Sequence, residues 1–185
     1  MVGILLLLGA AFASGPRIGA GDAGTPEAVT ARRSAAALKT TSGEDELSWK
    51  SRVGKTDWYD GGSDILKKGK YGYIYDIDTG IVVHIKRTGG TGHADCEPAS
   101  RSDTAKLKKI SGGKFTLDSH AVILYAGGKF AACGISTKPH GKQTITNNGY
   151  DGQFCLHMAG SLEHGEEGVN EAHQKSVARA YKWAH

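Results

Sequence analysis

Apolar and polar residues alternate along the middle of the chain in short runs, which glycine-containing turns separate. Residues 70–77 (KYGYIYDI) and 81–87 (IVVHIKR) flank the turn sequence DTG, and residues 121–126 (AVILYA) and 129–135 (KFAACGI) flank GG. Alternation of this kind between turn residues is typical of strands joined as hairpins. The pattern therefore predicts two β-hairpins.

The other segments before the second hairpin have weaker patterns. Residues 88–102 (TGGTGHADCEPASRS) are rich in glycine and polar residues and predict a long loop. Asp103 is then expected to cap a short helix that carries Leu107 and Ile110. Near the start of the folded region, four apolar residues predict a short amphipathic helix: Trp58, Tyr59, Ile65 and Leu66.

The last third of the chain ends in a clearer helical pattern. Residues 154–158 form an apolar run that predicts a buried strand or the start of a helix. Asn170 is suited to cap a helix. Four residues after it recur at helical spacing: Val177, Ala180, Tyr181 and Ala184. The predicted fold class is mostly β with a few helices (α+β), a compact sheet or sandwich with a C-terminal helix.

The N-terminal region differs from the rest of the chain. Residues 1–14 are mostly apolar, too short for a membrane span, and contain the small-x-small sequence Ala11-Phe12-Ala13, which is typical of a secretory signal peptide. An uncleaved anchor or a buried strand is the alternative. Residues 15–45 are rich in Ala, Gly, Ser and Thr and predict a flexible segment. The folded domain is expected over residues 46–185.

Composition limits the classes of partner. The 185 residues include 27 glycines and only 4 prolines, which favours turn-rich β structure over a helical bundle. The net charge of +4 comes from scattered Lys and Arg. Because no basic stripe alternates with aromatic residues, we expect no nucleic-acid partner. A weakly basic surface is compatible with an anionic polymer such as a cell wall.

The three cysteines are Cys96, Cys133 and Cys155. An exported protein with an odd number of cysteines has one unpaired thiol. Cys96 and Cys133 lie outside the motif described next, and we expect them to form a disulfide that leaves Cys155 free. Three reduced, unrelated cysteines are the alternative.

The candidate chemistry lies in residues 140–161 (HGKQTITNNGYDGQFCLHMAGS). His140 precedes Cys155 by a polar loop with several glycines, which can fold back and bring an imidazole to the sulfur. Thiol nucleophiles need a base and donors for the oxyanion. His157 shares the face of Cys155 if the segment is a strand. We therefore predict Cys155 as nucleophile and His140 as base, with His157 assisting, while a buried core cysteine is the alternative.

A second group of polar residues is His93-Ala94-Asp95, followed by Glu97. His93 and Asp95 suit substrate contact or an orienting role, and Asp95 or Glu97 can capture an amine or a loop backbone. His164 lies in a polar loop and is a further candidate for substrate contact. No metal-binding spacing such as HExxH or CxxC is present, so no metal or other cofactor is predicted. A zinc hydrolase that uses His93, Asp95 and later histidines is the weaker alternative.

The sequence His140-Gly141, followed by Gly152-Gln153-Phe154-Cys155-Leu156-His157, resembles the catalytic signature of L,D-transpeptidases. In that family a histidine precedes, by about this distance, a Ser-His-Gly-Cys run. Here Gln153 replaces the histidine and Phe154 replaces the glycine. A broader likeness over about residues 57–183 is to a divergent group of bacterial domains placed near these enzymes.

The resemblance implies a mostly β catalytic domain that is exported and acts on peptidoglycan stem peptides through a thioacyl-enzyme. By the same resemblance, Gly141 is expected beside the base, and backbone N–H groups around Phe154 and Cys155, with Gln153 next to them, are expected to form the oxyanion hole. The expected location is the cell envelope or the exterior, and the expected partner is peptidoglycan. No stable membrane span is expected, and a homo-oligomer is possible. The alternative function is a catalytically silent module that binds the cell wall or assembles into filaments.

Overall fold

The computed structural model describes residues 49–165 and 168–185 of the 185-residue chain. The predictions of a signal peptide over residues 1–14 and of a flexible segment over residues 15–45 lie outside the described residues. The predicted domain start at residue 46 also precedes them.

The described part of the chain is mostly β with few helices, as predicted. Its two complete α-helices are α1 (Arg101–Ile110) and α2 (Glu171–Ala184), and a 3-10 helix spans Gly62–Asp64. Its strands are β1 (Val53–Gly54), β2 (Tyr71–Asp76), β3 (Val82–Gly89), β4 (Ala94–Pro98), β5 (His120–Ala126), β6 (Lys129–Ile135) and β7 (Phe154–His157).

The sheet closes into a barrel of six antiparallel strands. The strand order is β1-β6-β5-β2-β3-β4-β7, and β6 also pairs with β7. The short strand β1 lies outside this ring of six and pairs in parallel with Phe130 and Ala131 of β6. Because β7 pairs with β4 on one side and with β6 on the other, it is the strand that closes the barrel.

Alternation along each strand separates the barrel interior from its outer surface. The interior is filled by side chains that are nearly or fully buried, among them Ile74, Ile85, Leu124, Phe154 and Leu156. Burying a side chain of this size contributes about 1.5–3 kcal/mol. The outward-facing residues of the same strands are consequently free to pack against a helix or to form a site.

Helix α2 covers the outer face of β5 and β6. Ile123 and Ala132 from these strands form a second core with Val177 and Ala180 of α2. The helix begins as predicted, since the Asn170 side chain accepts a hydrogen bond from the His173 N–H at 3.0 Å.

The two predicted hairpins are confirmed, with β2 and β3 joined by the DTG turn and β5 and β6 joined by Gly127 and Gly128. Both glycines have positive φ, which favours the type of two-residue turn that matches strand twist. The apolar run after the motif loop is the strand β7.

Three local predictions are wrong. The expected loop over residues 88–102 contains β4, which alternates inward Ala94 and Cys96 with outward polar residues. Helix α1 is capped by the Ser100 side chain rather than by Asp103, and Ser100 accepts from the Asp103 N–H. The expected amphipathic helix near Trp58 is a turn followed by the 3-10 helix, because the left-handed Gly61 interrupts the segment.

The predicted disulfide between Cys96 and Cys133 is also wrong, because all three cysteines are free. Cys96 pairs with Phe154 of β7, whereas the register of β6 with β7 places Cys133 beyond His157, opposite residue 158. The backbone positions of the two cysteines are therefore separated by one strand and by about 13 Å along it. A disulfide requires Cα atoms within about 7 Å.

Within the described residues, no helix has the length and apolar character needed to cross a membrane.

Because α2 packs closely on β6, a methyl group added at Gly134 should destabilise the fold. A Cβ there would lie 2.8 Å from the backbone oxygen of His173, so Gly134→Ala must push the helix away from the sheet. We expect the free energy of unfolding to fall by about 1–3 kcal/mol, measured by urea titration. At Gly168 a Cβ would meet no atom within 4 Å, and Gly168→Ala serves as the control, expected to stay near the wild-type midpoint.

Candidate active site

Strands β4 and β7 present their polar residues on the outer surface of the barrel. Asp95 pairs directly with Cys155 in the ladder between the two strands. Their neighbours Ala94, Cys96, Phe154 and Leu156 face the interior core. Residues opposite each other on adjacent strands have Cβ atoms about 4.5–5.5 Å apart, so the register alone brings the carboxylate to the thiol.

His140 is held beside Cys155 by backbone pairing. Its N–H donates to the Gln153 carbonyl at 3.0 Å, and the Gln153 N–H donates to the His140 carbonyl at 2.8 Å. Gly152 allows this close approach, because a Cβ there would lie 2.5 Å from the His140 carbonyl oxygen and φ is +132°. The sequence correctly predicted that the glycine-containing loop folds back, and the pairing gives the reason.

The loop between His140 and Cys155 is anchored by the fully buried Glu97 of β4. One carboxylate oxygen accepts from the Thr144 N–H at 2.7 Å and from the Thr144 hydroxyl at 2.5 Å. The other oxygen accepts from the Ile145 N–H at 2.9 Å and from the Asn148 amide at 3.4 Å. Glu97 therefore binds the backbone of the loop, one of the two roles that the sequence suggested for it.

The loop that carries His93 is fixed by Arg87 and Trp58. The Arg87 guanidinium lies over the Trp58 ring and donates to the carbonyls of Gly89 and Gly90 at 2.9 and 2.8 Å. The Trp58 indole N–H donates to the Thr91 carbonyl at 2.7 Å. These contacts hold the turn that leads into β4 and thus fix the position of the buried His93.

Four side chains converge on the sulfur of Cys155. Its Sγ lies 3.3 Å from His140 Nε2 and 3.5 Å from His164 Nε2. His164 Nε2 in turn lies 3.2 Å from His93 Nε2 and 3.4 Å from Asp95 Oδ1. Asp95 Oδ1 is 3.3 Å from His93 Nε2. The site therefore joins one thiol, one carboxylate and three imidazoles from four separate segments of the chain.

Backbone carbonyls fix the orientation of two of the rings. His93 Nδ1 lies 2.6 Å from the Leu162 carbonyl oxygen, and His140 Nδ1 lies 3.1 Å from the Lys138 carbonyl oxygen. A carbonyl only accepts, so each Nδ1 carries the proton. In the neutral ring, Nε2 then has a free lone pair that points into the cluster.

Opposite charges stabilise each other within the cluster. Burial by itself lowers the pKa of His93, but the adjacent Asp95 carboxylate and the nearby Cys155 raise it to about 10. Burial by itself raises the pKa of Asp95, and the adjacent, positively charged His93 lowers it below its ordinary value. Burial and the positive charge of His93 lower the pKa of His164.

His157 lies on the same strand face as Cys155 but is part of a stack of imidazoles. Its ring lies between those of His93 and His173, with centroids 4.5 and 4.0 Å away. Burial and the charges of His173, His93 and His164 lower its pKa to about 2. Its Nδ1 has no hydrogen-bond partner among the described residues. The ring is therefore placed to support His93 by packing, rather than to assist the base.

The remaining predicted residues have different surroundings. The side chain of Phe154 points into the barrel interior, away from the sulfur. The Gln153 N–H is bound to His140, so it is not free for an oxyanion, while the Gln153 side chain hydrogen-bonds to Asp95. Gly141 lies beside the base with φ +65° and its Cα faces Gln153.

Sequence reasoning did not identify the supporting residues Arg87, Trp58 and Asn148. Asn148 is fully buried and donates to the Pro98 carbonyl at 3.0 Å, joining the motif loop to β4. An arginine at the end of an apolar strand pattern, just before a glycine-rich turn, was the available signal for Arg87. For Asn148 no local pattern distinguishes it from the exposed Asn147.

Comparisons of this chain with protein-family models, with curated proteins and with solved structures find no match.

Removing the charge of Glu97 should loosen the loop that carries His140. In Glu97→Gln an amide nitrogen replaces one acceptor oxygen and faces backbone or hydroxyl donors. We expect a loss of about 1–3 kcal/mol in unfolding free energy and faster tryptic cleavage after the exposed Lys142. Glu171→Gln is the matched control, because that side chain is 85% exposed. Equal cleavage rates in wild type and Glu97→Gln would contradict the anchoring role.

The stacked histidines predict acid sensitivity of the fold. Burial and the charge of His93 lower the pKa of His173 to about 4, compared with 6.5 in the unfolded chain. Below pH 6.5 the unfolded state therefore binds a proton that the folded state does not, and stability falls by up to about 1.4 kcal/mol per pH unit. The contribution of the neutral His173 to the stability of the fold is complete above pH 6.5 and is lost as the pH falls to about 4.

Urea titrations between pH 7 and pH 4 measure this slope. In His173→Gln the unfolding free energy should fall less steeply as the pH is lowered, because glutamine does not titrate and the proton that His173 takes up on unfolding is no longer involved. An unchanged slope would show that another group controls acid unfolding.

Proposed function

We propose that this chain is a cysteine-dependent acyltransferase or peptidase that forms a thioacyl-enzyme on Cys155. The observation that carries the proposal is the distance of 3.3 Å between Cys155 Sγ and His140 Nε2, with His140 Nδ1 bound to a carbonyl. In the neutral ring this tautomer leaves Nε2 as the acceptor for the thiol proton. A nucleophile, a base and an orienting group for the base are the minimum for covalent catalysis.

The reaction would begin when His140 Nε2 accepts the proton of Cys155 and the thiolate attacks a peptide carbonyl carbon. The oxyanion of the tetrahedral intermediate would accept a hydrogen bond from the ring N–H of His164, which is half exposed beside the sulfur. When the C–N bond breaks, His140 returns its proton to the leaving amine and a thioester remains. An amine or water then attacks the thioester and restores the thiol.

The Cys155 residue has little exposed surface. Cys155 is only 8% exposed, whereas His140 is half-buried and the His164 side chain is 50% exposed. A substrate would therefore approach between the His140 and His164 rings. Such a position places the carbonyl between the base and the donor, as acyl transfer requires.

Peptidoglycan stem peptides are the substrate class that we propose, together with export to the cell envelope. Support for both comes from the sequence resemblance of residues 140–157 and from the predicted signal peptide. The weakly basic chain, with net charge +4, is compatible with an anionic wall polymer.

A carbapenem tests the proposal, because opening its lactam ring leaves the whole molecule attached to the nucleophile. Intact-protein mass spectrometry of metal-free protein should show one adduct, on Cys155, and none in Cys155→Ala. His140→Gln should acylate about 10²–10⁴ times more slowly, because the base is missing. The matched control is His185→Gln, which removes an exposed histidine outside the site.

Cys96 and Cys133 serve as internal controls, because both thiols are fully buried and should remain unlabelled. If Cys155 stays unmodified by the carbapenem and by an L,D-linked stem peptide, the acyltransferase proposal is wrong. A non-catalytic module of the cell wall would then be the better account.

A further inference from the structure

The cluster around Cys155 has a property that acyl transfer does not require. Four donor atoms from His93, Asp95, Cys155 and His164 all lie within 4.8 Å of one another. The acyl transfer proposed above uses the Cys155 sulfur, the His140 base and the His164 ring N–H. It gives no role to the His93 nitrogen or the Asp95 carboxylate, and their convergence on the same point needs its own explanation.

We infer that His93 Nε2, Asp95 Oδ1, Cys155 Sγ and His164 Nε2 form a tetrahedral binding site for Zn²⁺. The inference goes beyond the proposed acyl transfer and does not depend on it. Imidazole nitrogen, carboxylate oxygen and thiolate sulfur are the three ligand types that zinc takes in proteins.

Four of the six distances between the donor atoms match binding to one ion, and the other two, from Cys155 Sγ to His93 and to Asp95, are within 4.8 Å. Zinc lies about 2.0–2.3 Å from its ligands, so tetrahedral geometry separates neighbouring donor atoms by about 3.3–3.6 Å. The distances from His164 Nε2 to the other three donors are 3.2 Å (His93), 3.4 Å (Asp95) and 3.5 Å (Cys155). The distance from His93 Nε2 to Asp95 Oδ1 is 3.3 Å.

Asp95 supplies an independent observation. The residue is only 8% exposed, and no hydrogen bond reaches its buried Oδ1 within the described residues. The imidazole nitrogens of His93 and His164 face this oxygen at 3.3 and 3.4 Å, so its ion pair with the charged His93 lacks the geometry of a hydrogen bond, and its burial is only partly offset. A cation at the centre of the cluster would satisfy this oxygen.

The nitrogen atoms point to the same conclusion. His164 Nε2 lies 3.2 Å from His93 Nε2 and 3.1 Å from His140 Nε2, and a single ring N–H can serve only one of these contacts. The hydrogen bond of His93 Nδ1 to the Leu162 carbonyl fixes the tautomer that offers Nε2 to a metal. Such outer hydrogen bonds orient histidine ligands in known metal sites.

His140 lies outside this set of four and is the group that separates the two proposals. Its Nε2 is 3.3 Å from the sulfur, so it can take the thiol proton when the thiolate binds zinc. Four protein ligands leave no coordination position for water, which is characteristic of closed sites.

Direct titration tests the site. The full chain is freed of metal with a chelator and titrated with ZnCl₂ against a chromogenic chelator, and one equivalent should bind. Replacing zinc with Co²⁺ should give the absorption of a tetrahedral ion with a thiolate charge-transfer band. MgCl₂ should not compete, because Mg²⁺ prefers six oxygen ligands.

Variants identify the ligands. His164→Gln and Cys155→Ser should each weaken zinc binding by at least about tenfold, since even outer partners of a metal site have effects of that size. Cys155→Ser should also remove the charge-transfer band. His185→Gln is the matched control and should bind zinc like the wild type. His140→Gln should retain one equivalent of zinc although its acylation is slowed.

Failure of this inference and failure of the proposed function give different results. Acylation of metal-free protein without saturable zinc binding would overturn the zinc site alone, and zinc binding without acylation would overturn the acyltransferase alone. Zinc binding that is unchanged in both His164→Gln and Cys155→Ser, or lost in His140→Gln, would also overturn this assignment of the four ligands.

Discussion

The pairing of β7 between β4 and β6 is the interaction on which the rest of the structure depends. It closes the barrel, and its register with β4 sets Cys155 against Asp95. Phe154 and Leu156 hold that register, because a shift by one residue would move both from the core to the surface and would bury the polar residues of the site. The apolar core and the polar site therefore lie on opposite faces of β7.

The motif loop is held by polar groups that the fold has buried. Glu97 accepts four hydrogen bonds from the loop, and the backbone of His140 pairs with that of Gln153. These contacts satisfy the fully buried carboxylate of Glu97, so breaking them is costly and the loop has little freedom to move His140 away from the sulfur. Preorganisation of this kind is what a base needs for catalysis and what a ligand needs for metal binding.

The acyl-transfer and zinc proposals use the same sulfur in its ionised form. In both proposals His140, 3.3 Å from the sulfur, receives the thiol proton, and in the zinc proposal His93, Asp95 and His164 would complete the set of ligands. A thiolate that binds zinc is not free to attack a carbonyl, so the two chemistries exclude each other at any one time.

Sequence reasoning predicted the hairpins, the C-terminal helix and the pair formed by His140 and Cys155, because these depend on short-range periodicity and on turns that glycine permits. It missed β4, whose polar outward residues and glycine-rich approach resemble a loop. Asp95 and Glu97 face outward, where Asp95 lies opposite Cys155 and Glu97 binds the motif loop, so these polar residues obscured the strand.

The sequence by itself therefore determined which local elements form and which side chains are chemically able to react. Only the tertiary structure decided that His93, Asp95 and His164 meet Cys155, and that Cys96 and Cys133 lie too far apart to pair. The physical reason is that neighbours across a sheet are set by strand order and register. These are fixed by burial of the whole core, which no short stretch of sequence specifies.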